Sequence, residues 1–499
     1  MKQKSNTFKL RWQILSLLIF AISSWSSAQE TSRLMVNNIL QSNMVIQQGK
    51  PFKVWGIASP GEQVFVSTDW NKSSSNGRAD ESGRFMVEVS VPKAIKGDYS
   101  SHQLQVYTAN DTVKLSHLLI GDVWFLSGQS NMQFSLKEDK YADANLPLAL
   151  DTNIRLFNTA LNFSASPISD VKGKWTTCAP QTAKDFSAVG YYFGAYLKKV
   201  IDIPVGLVFS GIGASKVEAF IPQDVLQRNP LLNTTYLQPY LADPKSKEKV
   251  DGGFSFEKVT RPFLLYNAMI NPFTPLSITG FCWYQGEGNR TERESYTLAT
   301  QKLITTWRSQ FNQGNLPFYY VQVAPFFWDK EDPKLADYAF FREAQQKIAK
   351  VKNTAMVVSM DVGEAKDLHP KNKGPLGVRL AKSALNLTYN IDTVIYKGPE
   401  FQKAKFNGSQ VEVMFKPETV ASGLTTRDGS SPAFFEVAGI DRKFYPAKAQ
   451  ISGKKIILST NTVTRPVAVR YAFTNYAVTN LQNSAGLPAI PFRTDNWPE

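Results

Sequence analysis

The 499-residue chain is poor in cysteine and histidine, with two Cys (178 and 282) and three His (102, 117 and 369). Two cysteines in a chain of this length exclude a disulfide-framework protein. Neither residue type forms a cluster with zinc-ligand spacing, so no metal is expected, and the serine chemistry read below requires no cofactor. Beyond residue 28 there is no apolar run long enough to cross a bilayer, and no integral membrane segment is expected after it. The 56 Lys and Arg exceed the 42 Asp and Glu, for a formal charge of +14. These bases are scattered, without the clustering of a nucleic-acid footprint, so nucleic acid is not an expected partner. What is present is 43% hydrophobic, 20% charged and 12% aromatic residues. That composition excludes a disordered, collagen-like or coiled-coil chain, and the length predicts two or three domains.

Residues 1–28 read as a secretory signal. Lys2, Lys4, Lys9 and Arg11 make a basic start, and Ile14 to Ile22 form an apolar run too short to span a bilayer. Small residues ending at Ala28 offer a cleavage site before Gln29. Cleavage there removes four positive charges and no negative ones, leaving +10 of the +14. The mature protein is expected to be periplasmic or secreted.

Residues 29–118 read as an N-terminal β-sandwich-like module. Runs such as Phe52–Gly56, Gln63–Ser67, Arg84–Val89 and Leu104–Tyr107 alternate with turn signals such as Ser59-Pro60-Gly61. Residues 119–390 change character. Strands are predicted at 123–126, 205–209, 278–284, 317–323 and 354–360, and helices at 188–200, 294–311, 337–351 and 375–388. Strands alternating with helices predict an α/β domain with a parallel sheet, whose site lies beyond the carboxyl ends of the strands. Residues 391–499 return to β-like runs, among them Val411–Phe415 and Val467–Tyr471, and form a C-terminal β domain or appendage. Cys282 falls in a predicted central strand and is expected as a buried free thiol.

Four segments at predicted strand ends carry residues suited to chemistry. Gly128-Gln129-Ser130-Asn131-Met132 follows the first strand; its glycine permits a sharp turn that exposes Ser130. It is not a G-x-S-x-G elbow, because Met132 stands at the second glycine position. By itself Ser130 serves equally well as a turn cap. Gly211-Ile212-Gly213 follows the second strand, and a glycine N–H there can donate to an oxyanion or simply close a turn. Trp283-Tyr284-Gln285-Gly286-Glu287-Gly288-Asn289 follows the third, with side-chain amides as further donors. His369, in Asp367-Leu368-His369-Pro370, follows a later strand; neutral imidazole is suited to take a serine proton near pH 7. His102 and His117 lie in the β module or at its edge. Together the four segments supply a nucleophile, donors and a base.

Gly-Gln-Ser-Asn-Met, Trp-Tyr-Gln-Gly-Glu-x-Asn and Asp-x-His-Pro-Lys-Asn-Lys together resemble the sialate O-acetylesterase family of SGNH hydrolases. Asn43–Gln47, Val54-Trp55-Gly56, Gly121–Trp124, Arg342–Gln345 and Gly486–Asp495 extend the likeness over nearly the whole mature chain. The resemblance implies a flavodoxin-like three-layer α/β/α catalytic domain and a carbohydrate O-acetylesterase. Ser130 is then the nucleophile, His369 the base and Asp367 its orienting acid. Ser130, Gly213 and Asn289 form the oxyanion hole. Gln129, Gln285, Glu287 and Arg342 become candidate substrate contacts, with Arg342 or Lys216 facing a sialate carboxylate. The expected substrate is 9-O-acetylated sialic acid, with other acetylated glycans such as xylan as the alternative. Three departures stand out. The second block reads Gly213-Ala214-Ser215-Lys216 where paired glycines and a proline are usual. The third has Gly288 in place of serine. Lys366 stands three residues before His369, where SGNH enzymes commonly place Asp. Asp361 or a backbone carbonyl is the alternative partner for the imidazole. A carbohydrate-binding protein that kept the scaffold without catalysis is the rival from another class.

Overall fold

The computed structural model of the chain describes residues 34–498 except 252, 329 and 333, so the expected signal segment lies outside the described residues. Short strands come first: β1 (Met35–Val36), β2 (Val45–Gln47), β3 (Phe52–Ile57), β4 (Gln63–Thr68), β5 (Ser75–Arg78), β6 (Arg84–Val89) and β7 (His102–Tyr107). Along β6, Phe85, Val87 and Val89 are buried while Arg84, Met86 and Glu88 are exposed. That alternation is what an antiparallel sheet with one covered face requires. β1, β3 and β6 form a small antiparallel sheet, and β4 pairs with β5 and β7.

These strands lead into β8 (Thr112–Gly128), which joins two environments. Its first half pairs antiparallel with β7; Leu119–Gly121 then pair in parallel with β2, and Asp122–Gly128 run through the middle of a parallel sheet. The ladder to β7 is irregular opposite His102 and Leu104, and His117 has a φ of 55°. Such a bulge bends a strand and lets it change partners. The boundary expected between residues 118 and 119 falls inside this strand.

The remaining central elements are β9 (Ile154–Thr159), β10 (Gly173–Thr177), α1 (Ala188–Ile201), β11 (Val205–Phe209), β12 (Gly280–Tyr284), α2 (Arg293–Phe311), β13 (Phe318–Val321), α3 (Asp337–Ile348), β14 (Thr354–Val357) and α4 (Gly374–Leu387). The sheet order is β10-β9-β11-β8-β12-β13-β14, parallel except for the β10–β9 pair. β9 and β10 form an edge pair that the hydrophobic pattern did not announce. Without them, the parallel strands β11, β8, β12, β13 and β14 stand in the spatial order 2-1-3-4-5, one of the doubly wound orders.

Both faces of β8 are covered. Trp124 and Leu126 pack with Phe193 and Leu197 of α1 and Leu380 of α4. Phe125 packs on the other side against Trp307 and Phe311 of α2. Burial on both faces explains why Val123–Leu126 is a continuous apolar run and not an alternating one. α1 begins at Ser187, whose Oγ accepts the Gly190 N–H at 3.0 Å, and ends at Asp202 in the left-handed conformation. It meets α4 at Gly377, where a Cβ would lie 2.6 Å from Tyr192 Cβ, so any side chain there forces the helices apart.

After α4 the chain forms two four-stranded antiparallel sheets. One contains Phe401–Asn407, Gln410–Phe415, Lys455–Ser459 and Lys448–Ser452; the other contains Phe444–Pro446, Phe435–Ala438, Ala468–Tyr471 and Phe492–Arg493. Their shared core includes Val411, Val413, Leu458 and Tyr471, and is reached by Val358 and Met360 after β14. Cys178 and Cys282 are both buried and unpaired, and burial pushes the Cys178 thiol up to about 12. No helix among the described residues is long and apolar enough to cross a membrane.

Candidate active site

The carboxyl ends of β8, β11, β12 and β14 point to one rim of the sheet. β8 ends at Gly128, with φ 142°; a Cβ there would lie 2.2 Å from Tyr284 O. Only glycine allows β8 to turn so close to the end of β12. The turn delivers Ser130 as the first residue of the short helix Ser130–Gln133, so its N–H has no intrahelical acceptor. His369 lies in the segment between β14 and α4. There Asp367 Oδ1 accepts the His369 N–H at 2.8 Å and tightens the turn. His369 Nε2 lies 2.7 Å from Ser130 Oγ, across 239 residues of sequence. That is hydrogen-bond reach for transfer of a hydroxyl proton to an imidazole. Partial burial and the nearby Lys373 ammonium hold the imidazole below its ordinary 6.5, against the pull of Asp367 and Glu138. The ring is therefore biased toward its neutral, proton-accepting form.

The pair opens on a cavity of about 470 Å³ bordered by Gln133, Phe134, Lys137, Glu138 and Asp185. Lys137 Nζ is already engaged with Asp185 Oδ1 at 2.7 Å. Glu138 accepts the Ser135 N–H at 3.1 Å and is also bonded by the Ser135 hydroxyl, which holds its carboxyl below the usual range. The mouth thus carries one paired cation and two carboxylates.

Asp367 Oδ1 lies 3.7 Å from His369 Nδ1, beyond hydrogen-bond length, and both side chains are more than a third exposed. The alternative Asp361 is engaged elsewhere: both of its oxygens take Arg379, at 2.7 and 2.6 Å.

Gly213 lies beside the serine. A Cβ on it would be 3.3 Å from Ser130 Cβ, and its N–H donates to Gln133 Oε1 at 2.8 Å. Asn289 corrects an expectation. It is fully buried, and its amide donates to Glu218 Oε2 at 2.9 Å and to Glu292 Oε2 at 2.7 Å. Its Oδ1 accepts from the Val217 N–H and from Gln285 Nε2. The carboxylates fix the amide direction, so Asn289 ties loops together and offers no free donor to an oxyanion. Burial and the neighbouring Glu292 push the Glu218 carboxyl up to about 7.

The four candidate substrate contacts are likewise interior. Gln129 Oε1 accepts the N–H groups of Gly286 and Gly288 at 3.2 and 3.3 Å, clamping the β8 turn to the β12 loop. Gln285 is buried on Asn289 and on Ser215 O. Glu287 is buried and accepts from Asn131 Nδ2 at 2.6 Å. Arg342 is fully buried; its guanidinium donates to the carbonyls of Thr474 and Asn475 and lies over the Tyr338 ring. Arg342 cannot meet a sialate carboxylate from there, and Lys216 is paired with Glu292 at 2.9 Å. Residues that sequence reasoning passed over are Gln133, Glu138, Asn131 and Lys373. The last two stand within the quoted Ser and His blocks; Gln133 and Glu138 carried no signal.

A serine hydroxyl on an imidazole, at the carboxyl edge of a doubly wound sheet, is an arrangement suited to hydrolysis. Comparison with known proteins narrows the class. A family model described as carbohydrate esterase, sialic acid-specific acetylesterase, matches residues 248–386, the stretch that holds Asn289 and His369. The sialate O-acetylesterase of Mus musculus is 27% identical over 90% of this chain and 92% of its own length. That of Homo sapiens is 24% identical over 95% of each. The crystal structure of a carbohydrate acetylesterase from Xanthomonas citri superposes with a TM-score of 0.81 at 32% identity, covering 93% of this chain and all of the other. The chain belongs to the sialate O-acetylesterase family and is a carboxylic ester hydrolase.

Proposed function

We propose that the protein is an exported serine esterase that removes O-acetyl groups from carbohydrates through an acetyl-enzyme on Ser130. The observation that carries the proposal is the 2.7 Å approach of His369 Nε2 to Ser130 Oγ beside an open cavity. His369 takes the Ser130 proton as Oγ attacks the acetyl carbonyl carbon. The oxyanion of the tetrahedral intermediate is held by the Ser130 N–H and by the Gly213 N–H, the exposed Gln133 side chain moving aside. Collapse of the intermediate breaks the bond to the sugar oxygen, which takes the proton from His369. Water, deprotonated by His369, then attacks the acetyl-enzyme; acetate leaves and Ser130 regains its proton. Asp367 favours the imidazolium electrostatically and holds its backbone turn. Rapid mixing with an aryl acetate tests the reading. A burst of chromophore is expected, absent in Ser130→Ala; a variant that keeps most of its turnover removes Ser130 from the mechanism.

For the sugar, 9-O-acetylated sialic acid is the first reading, supported by the description of the matching family and by the mammalian relatives. Acetylated neutral glycans such as xylan are the second, favoured by a cavity whose cation Lys137 is already taken by Asp185 and which also holds Glu138. Rates on O-acetylated sialoglycan and acetylated xylan, measured side by side, decide between them. Faster xylan turnover overturns the sialate reading.

The proposed architecture is an SGNH-type three-layer catalytic unit at 119–390, flanked by the β module at 29–118 and the β appendage at 391–499. Support comes from the 2-1-3-4-5 strand order and from the largely separate core of the C-terminal sheets. Export is read from residues 1–28 and predicts a mature chain that starts at Gln29, which mass spectrometry of the secreted protein checks.

A further inference from the structure

Beneath the Ser130–His369 pair runs a chain of buried polar groups that the proposed reaction does not use. Asn131, next to Ser130, has no solvent exposure. Its Oδ1 accepts from Lys373 Nζ at 2.5 Å; its Nδ2 donates to Glu287 Oε1 at 2.6 Å and to Leu368 O at 3.1 Å. Leu368 precedes His369, and Lys373 stands four residues after His369 as the residue that caps α4. One amide therefore joins the turn of the nucleophile to the loop of the base. Lys373 is itself fully buried, with Nζ 4.6 Å from the centre of the Phe134 ring and 5.8 Å from that of Tyr284. Glu287 Oε2 is buried without a hydrogen-bond partner.

A buried ammonium and a buried carboxylate are both costly, and a hydrophobic pair of similar volume would pack here without that cost. Their arrangement has a definite consequence. The ammonium can face only the carbonyl oxygen of Asn131, and the carboxylate only its NH2 group. The two ends together forbid the flipped amide, so the Leu368 carbonyl always meets a donor.

We propose that Lys373 is a positioning residue of the esterase, acting through Asn131 to lock the His369 loop onto the Ser130 turn. Burial pulls the Lys373 amine down to about 7, so below that value it is a cation, and a cation beside the base opposes formation of the imidazolium. The charged groups that bear on Lys373 are Glu287 from the β12 loop, Asp139 near the Ser130 helix, and Asp367 and Glu364 from its own segment. Those that bear on His369 are Lys373, Asp367 and Glu138. Burial and Lys373 oppose the two carboxylates there, and the net effect holds the imidazole below its ordinary value. The inference rests on the roles proposed above for Ser130 and His369.

The test uses the full mature chain, an aryl acetate, and kcat and kcat/KM across a pH series. Lys373→Met is expected to lower kcat about tenfold or more and to move the acid limb of kcat/KM up by about half a pH unit or more. Asn131→Ala removes the tie and keeps the charge, so kcat should fall about tenfold with the acid limb unmoved. Lys373→Met with kcat within about threefold of the parent, or with a lower kcat and an unmoved limb, overturns the proposal. If Lys373→Met shows no cooperative melting, Asn131→Ala decides alone, and parent-like turnover there overturns it. The acetyl-enzyme burst of the parent is recorded alongside. Its absence overturns the serine mechanism and this inference together, whereas an intact burst with parent-like variants sinks only the inference.

Discussion

Asp367→Asn separates a tight catalytic triad from the looser arrangement found here. Asp367 Oδ1 stands 3.7 Å from the His369 Nδ1, and the two side chains are 38% and 37% exposed. At that distance no hydrogen bond forms, and the interaction is one of charge alone. In a water-like dielectric the attraction between carboxylate and imidazolium is about 1 kcal/mol, less once salt screens it. A transition state that carries an imidazolium thus gains at most about a factor of ten from this carboxylate. In a triad with a buried, hydrogen-bonded aspartate the same substitution costs about ten-thousand-fold in turnover. Asparagine keeps the oxygen that accepts the His369 N–H at 2.8 Å, so the turn survives; Asp367→Ala removes both and serves as the control. The assay is kcat/KM for an aryl acetate across a pH series, with thermal melting in parallel. A loss of up to about tenfold is expected for Asp367→Asn. Because the Asp367 carboxylate favours the imidazolium, its removal also moves the acid limb to lower pH. A loss of about a thousandfold or more with unchanged melting would falsify this reasoning, because the carboxylate must then close onto the ring when substrate binds.

Further consequences concern groups around the centre. Gln133→Ala frees the Gly213 N–H, so kcat/KM for aryl acetate should hold or rise; a hundredfold fall makes the Gln133 amide itself a donor to the oxyanion. Arg342→Met leaves the carbonyls of Thr474 and Asn475 unpaired in the interior. It should lower stability by about 2–4 kcal/mol in a denaturant titration while KM stays put, and a raised KM without loss of stability refutes the structural role. Glu218 has a folded-state value raised from 4.5 to about 7, so the stability held in its neutral form is present below the lower value and fades as pH rises through the upper one. Glu218→Gln should therefore gain in melting temperature over the parent above about pH 7 and lose that gain in acid; an advantage independent of pH refutes the assignment.

Much of the fold was legible because its strands are buried on both faces. Val123–Leu126 and Val205–Phe209 are unbroken apolar runs with glycines close by, and in an α/β chain such runs have one architectural use. The helices were legible for a complementary reason. α1 turns Val189, Phe193 and Leu197 inward at helical spacing, and its observed end lies one residue beyond the predicted one. The edge pair β9 and β10 was not legible, nor was the passage of β8 through the expected boundary. Both depend on which strand edge is left open once the sheet is assembled, and local periodicity holds no information about that. The bulge that redirects β8 is marked only by His117, an ordinary residue in an uncommon conformation.

The site divides along a different line. Position along the chain was readable, since a functional group just past a parallel strand must arrive at the sheet's carboxyl rim. Direction was not. Asn289 reaches that rim, but two carboxyl groups, on buried Glu218 and half-buried Glu292, claim its amide hydrogens and turn a plausible donor into a brace. Arg342 is drawn inward in the same way by two carbonyl groups that lie some 130 residues later in sequence. Both partners of Arg342, and Glu218 of the two that hold Asn289, are distant in the chain and unremarkable in type. What orients a polar side chain is the set of unsatisfied groups that folding brings to it, and a buried unmet hydrogen bond costs enough to override any role inferred from type and spacing. Ser130 and His369 escaped this because each stands at the cavity wall, where solvent meets what the interior does not.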